Sequence, residues 1–379
     1  LIQYVRGRLS RQLDSSGAPE EKIEEARQIF DPTLFTMGFA RRFATYKRPN
    51  LLLHDPERLL SILNHPQRPA QLILAGKAHP ADKPGQEMIR EWTRFMALPT
   101  ARRRVIFLSD YDMLLTGRLV QGVDVWLNTP RRPWEACGTS GMKVLVNGGI
   151  NVSELDGWWE EAYSPEVGWA LGDGREHGDD PAWDAAEAEE LYGLLEREVI
   201  PEFYALNSAG IPERWVARVR ESMARLTPHF SAGRAVGEYT EKYYLPGASA
   251  YLARAADKGI AGAKMAEWLR ELDRNWPSLR FGEGKVMSDG GKHKFEVQVY
   301  LNELDSRWVR VEVYAEGVNG ARPVRREMTP GRKIPGANAY VFSAEIDSNL
   351  PPGTFTPRVI PRFPGAAVPL EAPFILWQR

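Results

Sequence analysis

Short, continuous apolar runs alternate with amphipathic stretches through the first 150 positions of the chain. Leu34 to Ala40, Gln71 to Gly76, Arg104 to Leu108, Val123 to Leu127 and Gly149 to Val152 read as strands apolar on both faces. The segments before and between them read as helices: Glu20 to Arg27, stopped by Asp31-Pro32, then Pro56 to Leu63, Gln86 to Met96, Met113 to Gln121, and one bearing Lys143 to Asn147. Strands buried on both faces and alternating with helices predict an α/β fold built on a doubly wound parallel sheet. In such sheets a ligand sits at the carboxyl ends of the strands. The loops at Arg41–Lys47, Gly76–Pro80, Tyr111 and Glu135–Lys143 all fall there.

The pattern then changes twice. From 182 to 275 the chain reads as helical, with Leu191, Leu194, Leu195 and Val199 forming one apolar stripe, and Trp215, Val219, Met223 and Leu226 another. Past Trp276-Pro277, Phe295, Val297, Val299 and Leu301 alternate with polar residues, as do Val309, Val311 and Val313, which predicts a C-terminal antiparallel β-sandwich. The expected organisation is an N-terminal helical remnant at 1–30, a Rossmann-like domain with C-terminal helices at 31–276, and the sandwich at 277–379.

Composition narrows the function classes. The 379 residues exceed one comfortable core. A formal charge of −1, from 49 basic and 50 acidic side chains, argues against a dedicated nucleic-acid surface. The single cysteine, Cys137, excludes an internal disulfide framework and predicts a reducing, cytoplasmic setting. No apolar run approaches the ~18 residues of a membrane span, so no membrane partner is expected. The chain opens Leu1-Ile2-Gln3-Tyr4, without an initiator Met or a signal pattern, as a piece of a longer protein would. The six histidines lack metal-ligand spacing, so no metal is expected. Neither a P-loop nor G-x-G-x-x-G occurs, and Asn151-Val152-Ser153 lies in a buried strand, where it cannot act as a glycosylation acceptor.

Three segments carry candidate chemistry. Arg131 to Lys143 ends in a small, glycine-rich turn opening a helix: its N–H groups can hold an anion, and Lys143 supplies an amine that can act covalently. The bland alternative is a glycine-eased cap with a solvated lysine. Gly38 to Arg48 sets several cations at a strand-to-helix junction, where arginine forks suit phosphate oxygens; the alternative is a solvated charge run. Leu155 to Glu160 is a turn with an exposed acid and two tryptophans, which can stack on sugars but more often serve as core.

Taken together these loops resemble the α-glucan (glycogen, maltodextrin and starch) phosphorylases, glycosyltransferase family 35, over most of residues 34–245. Arg41-Arg42-Phe43-Ala44-Thr45-Tyr46-Lys47-Arg48 resembles the family's [KR]-R-x-x-x-Y-K-R element. Gly76-Lys77-Ala78-His79-Pro80 resembles its G-K-A-x-P loop, and Glu135 to Lys143 its E-A-S-G-T-x-x-M-K turn, with Asn147-Gly148 and Leu155-Asp156-Gly157 behind it. The resemblance implies the C-terminal half of a GT-B fold, of the shorter bacterial type. It implies phosphorolysis of α-1,4-glucan or maltodextrin by inorganic phosphate to glucose-1-phosphate, with retention, dependent on pyridoxal 5′-phosphate. Lys143 would carry the cofactor covalently. Thr139 and Ser140 N–H groups with Arg41 would hold its phosphate, and Tyr111 would line its pocket. Arg42 and Lys47 would bind the substrate phosphate, and Glu135, Ala136, Cys137 and Gly138 the reacting glucose. Like charges ~4 Å apart at an effective dielectric near 20 cost about 4 kcal/mol, so two adjacent phosphates need that cationic cluster.

Cys137 stands where serine is usual, Ser140-Gly141 replaces the commoner glycine–asparagine pair, and Asp112 follows Tyr111 where many members have arginine. Family members are about twice as long, and the N-terminal half that supplies the opposite wall of the cleft has no counterpart here. The chain alone is therefore expected to be inactive, with that missing half as its partner; homo-oligomerisation stays open. A retaining nucleotide-sugar transferase resembling glycogen synthase is the competing enzyme class. Many of those carry a second acid, for the ribose, eight residues after the first, where this chain has Lys143. A non-catalytic glucan-binding piece is the third reading, resting on Trp308, Tyr314, Tyr340 and Trp377, which read mainly as sandwich core.

Overall fold

A computed structural model describes residues 1–317 and 322–379. The chain divides into two compact units, Leu1–Val236 and Gly237–Arg379. The first opens with helices α1 (Ile2–Ser15) and α2 (Glu20–Arg27). Six strands follow: β1 (Phe35–Ala40), β2 (Ala70–Ala75), β3 (Val105–Leu108), β4 (Val125–Asn128), β5 (Ile150–Glu154) and β6 (Gly168–Leu171). They are joined by α3 (Pro56–Leu63), α4 (Lys83–Met96), α5 (Met113–Val120), α6 (Thr139–Leu145) and α7 (Trp158–Ala162). Helices α8 (Pro181–Leu194), α9 (Ile200–Tyr204) and α10 (Glu213–His229) come after β6.

The sheet is parallel throughout, in the order β3-β2-β1-β4-β5-β6. The doubly wound α/β fold expected from the sequence is thus present. The winding reverses between β1 and β4, and that reversal opens a crevice at their carboxyl ends. Two cores cover the sheet. Phe35, Met37, Leu72, Leu74, Val125 and Trp92 pack on one face; Ile73, Ala75, Ile106, Trp126 and Val144 pack on the other. β1, β2 and β5 are buried at every position, which is why they read as continuous apolar runs.

Some details differ from the sequence expectations. α1, read only as part of a remnant, docks Ile2, Val5 and Leu9 onto the second of these cores. A sixth strand, β6, extends the sheet beyond β5. In α10, Ser222 and not Met223 completes the buried stripe, and Met223 is exposed.

In the second unit the helical segments α11 (Ala232–Tyr239, which crosses the division) and α12 (Leu245–Asn275) precede the strands. The strands are β7 (Arg280–Asp289), β8 (Lys292–Tyr300), β9 (Val309–Ala315), β10 (Val324–Glu327), β11 (Thr329–Lys333), β12 (Ala339–Asp347), β13 (Thr356–Pro361) and β14 (Leu376–Trp377). They form two antiparallel sheets, β10-β9-β13-β14 and β11-β12-β8-β7. Alternating Phe295, Val297, Val299 and Val309, Val311, Val313 point into their shared core. Met265, Trp268 and Leu272 of α12 also enter that core, so the compact unit begins earlier than the expected 276/277 boundary. Trp308 and Tyr340 lean on the core as anticipated, whereas Tyr314 and Trp377 flank Arg358, and Trp377 is 38% exposed.

Candidate functional site

The crevice between β1 and β4 collects most of the residues singled out above. Past Ala40 the chain continues beside the β2 loop, Arg41 N donating to Ala75 O (3.0 Å) and Phe43 N to Lys77 O (3.0 Å). That approach needs Gly76: a Cβ there would lie 2.1 Å from Arg41 O. The chain then makes a short turn at Thr45–Lys47, and Arg48 adopts a left-handed conformation, φ 43°. The loop after β4 is tied to this turn, with Arg131 N donating to Tyr46 O (2.6 Å) and the Thr129 hydroxyl to the carbonyls of Lys47 and Arg48 (3.2 and 3.1 Å). Asp156, two residues past β5, fixes the same loop from behind by accepting from Glu135 N (2.8 Å) and Gly157 N (2.9 Å).

These supports aim three charged side chains at one point. Glu135 Oε2 accepts from Arg41 Nη2 at 2.6 Å and from Lys47 Nζ at 2.5 Å, with all three side chains nearly buried. Arg41 Nη1 also donates to Asn128 Oδ1, and Asn128 Nδ2 to the Ser153 hydroxyl (2.9 Å). Burial lowers the Arg41 guanidinium pKa, and the Glu135 carboxylate opposes that shift. One carboxylate oxygen therefore serves two cations. Buried charge is stable only when paired and hydrogen bonded, so a second anion would be welcome here.

The other anticipated residues surround this point less tightly. Arg42 is exposed and has no ion pair among the described residues. Tyr111 is half-buried, its hydroxyl pushed up in pKa by burial, against a hydrogen bond with Thr116 and then the Arg41 charge. Ala136 is exposed, and Cys137 and Gly138 are half-buried; burial first, and then Glu135, raise the Cys137 thiol. Gly138 is left-handed (φ 82°) and starts α6 without a side-chain cap. Thr139 and Ser140 open that helix, with Ser140 Oγ accepting from Trp126 Nε1 (3.2 Å). Lys143, one turn on, is exposed and donates to Thr139 Oγ1 (3.0 Å). Trp158 and Trp159 are buried core residues and present no sugar-stacking face. Asp156 beside them is buried, while Glu160 is the exposed acid of that turn, paired with Arg132 (2.6 Å).

Sequence reading missed Asn128, Asp156 as a loop clamp, and the acids that hold Arg48. The only local signal for the first was a polar residue ending an otherwise apolar strand.

The architecture defines a doubly wound α/β protein with a cationic crevice at its switch point. Residues 21–163 match the family model described as carbohydrate phosphorylase. Over 283 residues the chain is 43% identical to glycogen phosphorylase of Mycobacterium tuberculosis, covering 75% of this chain and 33% of that one. It is 38% identical over 327 residues to maltodextrin phosphorylase of Thermococcus litoralis (85% and 38%). It is 42% identical over 244 residues to glycogen phosphorylase of Aquifex aeolicus (64% and 35%). The resemblance to the α-glucan phosphorylases is borne out, and the chain spans about a third of the length of these relatives.

Proposed function

We propose that this chain supplies the cofactor- and phosphate-binding wall of an α-1,4-glucan phosphorylase, in which glucan and inorganic phosphate are converted reversibly to glucose-1-phosphate with retention. The observation that carries this reading is the convergence of Arg41 and Lys47 on Glu135 at the β1/β4 switch point. A buried site with two cations on one carboxylate oxygen can accept a phosphate by sharing the donors.

The residues also fit pyridoxal 5′-phosphate. Lys143 is an exposed amine with one neutral partner, and the capless start of α6 beside Gly138 offers backbone donors. Gly141 allows α6 to lie close to β5: a Cβ there would meet Asn151 Oδ1 at 2.5 Å. Lys143 would hold the cofactor covalently; Thr139 and Ser140 N–H groups and Arg41 would hold its phosphate, with Tyr111 lining the pocket. When bound, the cofactor would supply a phosphate group for acid–base chemistry beside the substrate phosphate. Lys47, with Arg42 turning in from solvent, would neutralise and orient the substrate phosphate. Glu135, Ala136, Cys137 and Gly138 would present hydrogen-bonding groups to the glucose.

The test is covalent trapping. The chain is incubated with pyridoxal 5′-phosphate, reduced with borohydride and mapped by peptide mass. A pyridoxyl adduct concentrated on Lys143, and lost in Lys143→Ala, is the expected result. Label spread evenly over the surface lysines would sink the reading.

A further inference from the structure

Behind the crevice, Arg48 binds the two loops that form it. Its Nε donates to Thr129 O (3.1 Å) and its Nη2 to Pro130 O (2.9 Å), carbonyls of the loop that leads to Glu135. The rest of the guanidinium meets three acids: Glu154 at the end of β5 (3.0 Å), and Asp184 (2.9 Å) and Glu187 on α8. Asp184 is shared with Arg131, whose Nη2 lies 2.7 Å from its other oxygen.

Glu154 and Glu187 have no such second cation. They are 3% and 1% exposed, and Arg48 is the only cation hydrogen bonded to either among the described residues. Each turns one oxygen to Arg48 and the other toward Gly172. A Cβ on Gly172 would lie 2.3 Å from Glu154 Oε1 and 2.8 Å from Glu187 Oε1, so the two Oε1 atoms crowd one spot over that glycine. Glu187 Oε1 is buried with no hydrogen-bond partner. Two ionised carboxylates in that position would repel one another without water to screen them. A proton between them removes one charge and gives Glu187 Oε1 a donor.

We propose that Glu154 and Glu187 share one proton, and that the resulting singly charged pair fixes Arg48 and thereby positions Lys47 and the Glu135 loop for phosphate. The positioning part rests on the phosphate reading given above; the shared proton does not. Burial, reinforced by the facing Glu187 carboxylate, holds the Glu154 carboxyl far above the usual carboxylate range. The remaining charged neighbours have partners elsewhere. Glu190 of α8 accepts from Gly172 N (3.0 Å), and Arg132 binds Glu160. In the β6–α8 loop, His177 pairs with Asp173 (3.0 Å), and Arg175 is solvent-facing. Both acids are positioning residues, since Arg48 stands between them and the crevice.

The proton is read by infrared spectroscopy of the whole chain at pH 8. A protonated-carboxyl C=O band, shifted in D2O, should appear and should vanish in Glu154→Gln and in Glu187→Gln, because either leaves a lone carboxylate facing Arg48. A wild-type spectrum without that band overturns the proposal. Positioning is read by titrating inorganic phosphate. Each single Gln variant keeps one charge beside Arg48 and should bind within about twofold of wild type. The double variant, checked for folding by circular dichroism, should weaken binding by about tenfold or more. Equal loss in a single and the double variant, or no loss in the double, would refute the positioning role. If the double variant does not fold, the infrared arm still decides the shared proton, and a loss of phosphate binding of about tenfold in either single variant refutes the positioning role. A wild-type chain that shows the band yet binds no phosphate would refute the phosphate reading and leave the shared proton standing.

Discussion

Glu135 carries the charge that lets Arg41 and Lys47 sit side by side out of water. Removing one partner of a buried ion pair strands the others and costs about 3 kcal/mol. Glu135→Gln should therefore lower the stability of the first unit by that order, measured by denaturant unfolding. The stranded cations should then take an external anion more readily, since a ligand that binds only the folded state stabilises it. Inorganic phosphate should raise the Tm of Glu135→Gln by more than it raises that of wild type; equal rises would show that Glu135 does not compete for the site. At this scale the cations and Glu135 were legible, because each belongs to a compact local pattern. Arg48 was legible only as one more cation of its run; its association with Glu154 and Glu187 was not, because it joins positions 139 residues apart in the most distant pair, Arg48 and Glu187. No local spacing encodes that contact. Asp156 was visible only as part of a turn; its clamp on Glu135 N depends on β4 and β5 being neighbours.

Whole elements came through the sequence where one rule was sufficient. Pro56–Leu63 matches its expected helix end to end, with Pro at its start and Asp55 capping Arg58 N (3.0 Å). The helix after β2 begins at Lys83, three residues earlier than Gln86, because Asp82 caps Gly85 N across a proline that reads as a loop. β6 was missed because Gly168-Trp169-Ala170-Leu171 is too short and mixed to show a period. The crevice itself depends on how closely the loops after β1 and β2 approach, and Gly76 permits that. Gly76→Ala would drive a methyl group to 2.1 Å from Arg41 O, a backbone atom that cannot step aside. The expected outcome is a stability loss of about 2 kcal/mol or more, together with weakened phosphate binding, as Arg41 is pushed from its place. Unchanged unfolding and unchanged binding would mean that the loops separate without disturbing the site.

At the scale of the molecule, binding and turnover should come apart. The described charges that would meet the cofactor and substrate phosphates all belong to one unit, Leu1–Val236, and lie at the carboxyl end of its single parallel sheet. If the proposed reading is right, that geometry should be enough to hold an anion, because Arg41 and Lys47 already meet on Glu135 within this unit. Phosphorolysis demands more: the glucan must be gripped across its scissile bond and water excluded while charge develops on the sugar. The matched segments make up 33% to 38% of the relatives that carry out this class of reaction by name. This 379-residue chain should therefore take up pyridoxal 5′-phosphate and inorganic phosphate, yet release no glucose-1-phosphate from maltodextrin in a coupled assay. Turnover at a rate set by Lys143 and Lys47, abolished in Lys143→Ala and Lys47→Ala, would show that one wall is sufficient and overturn the division of labour. Failure to bind phosphate at all would instead count against the crevice as an anion site, since binding needs only the groups that this unit already brings together.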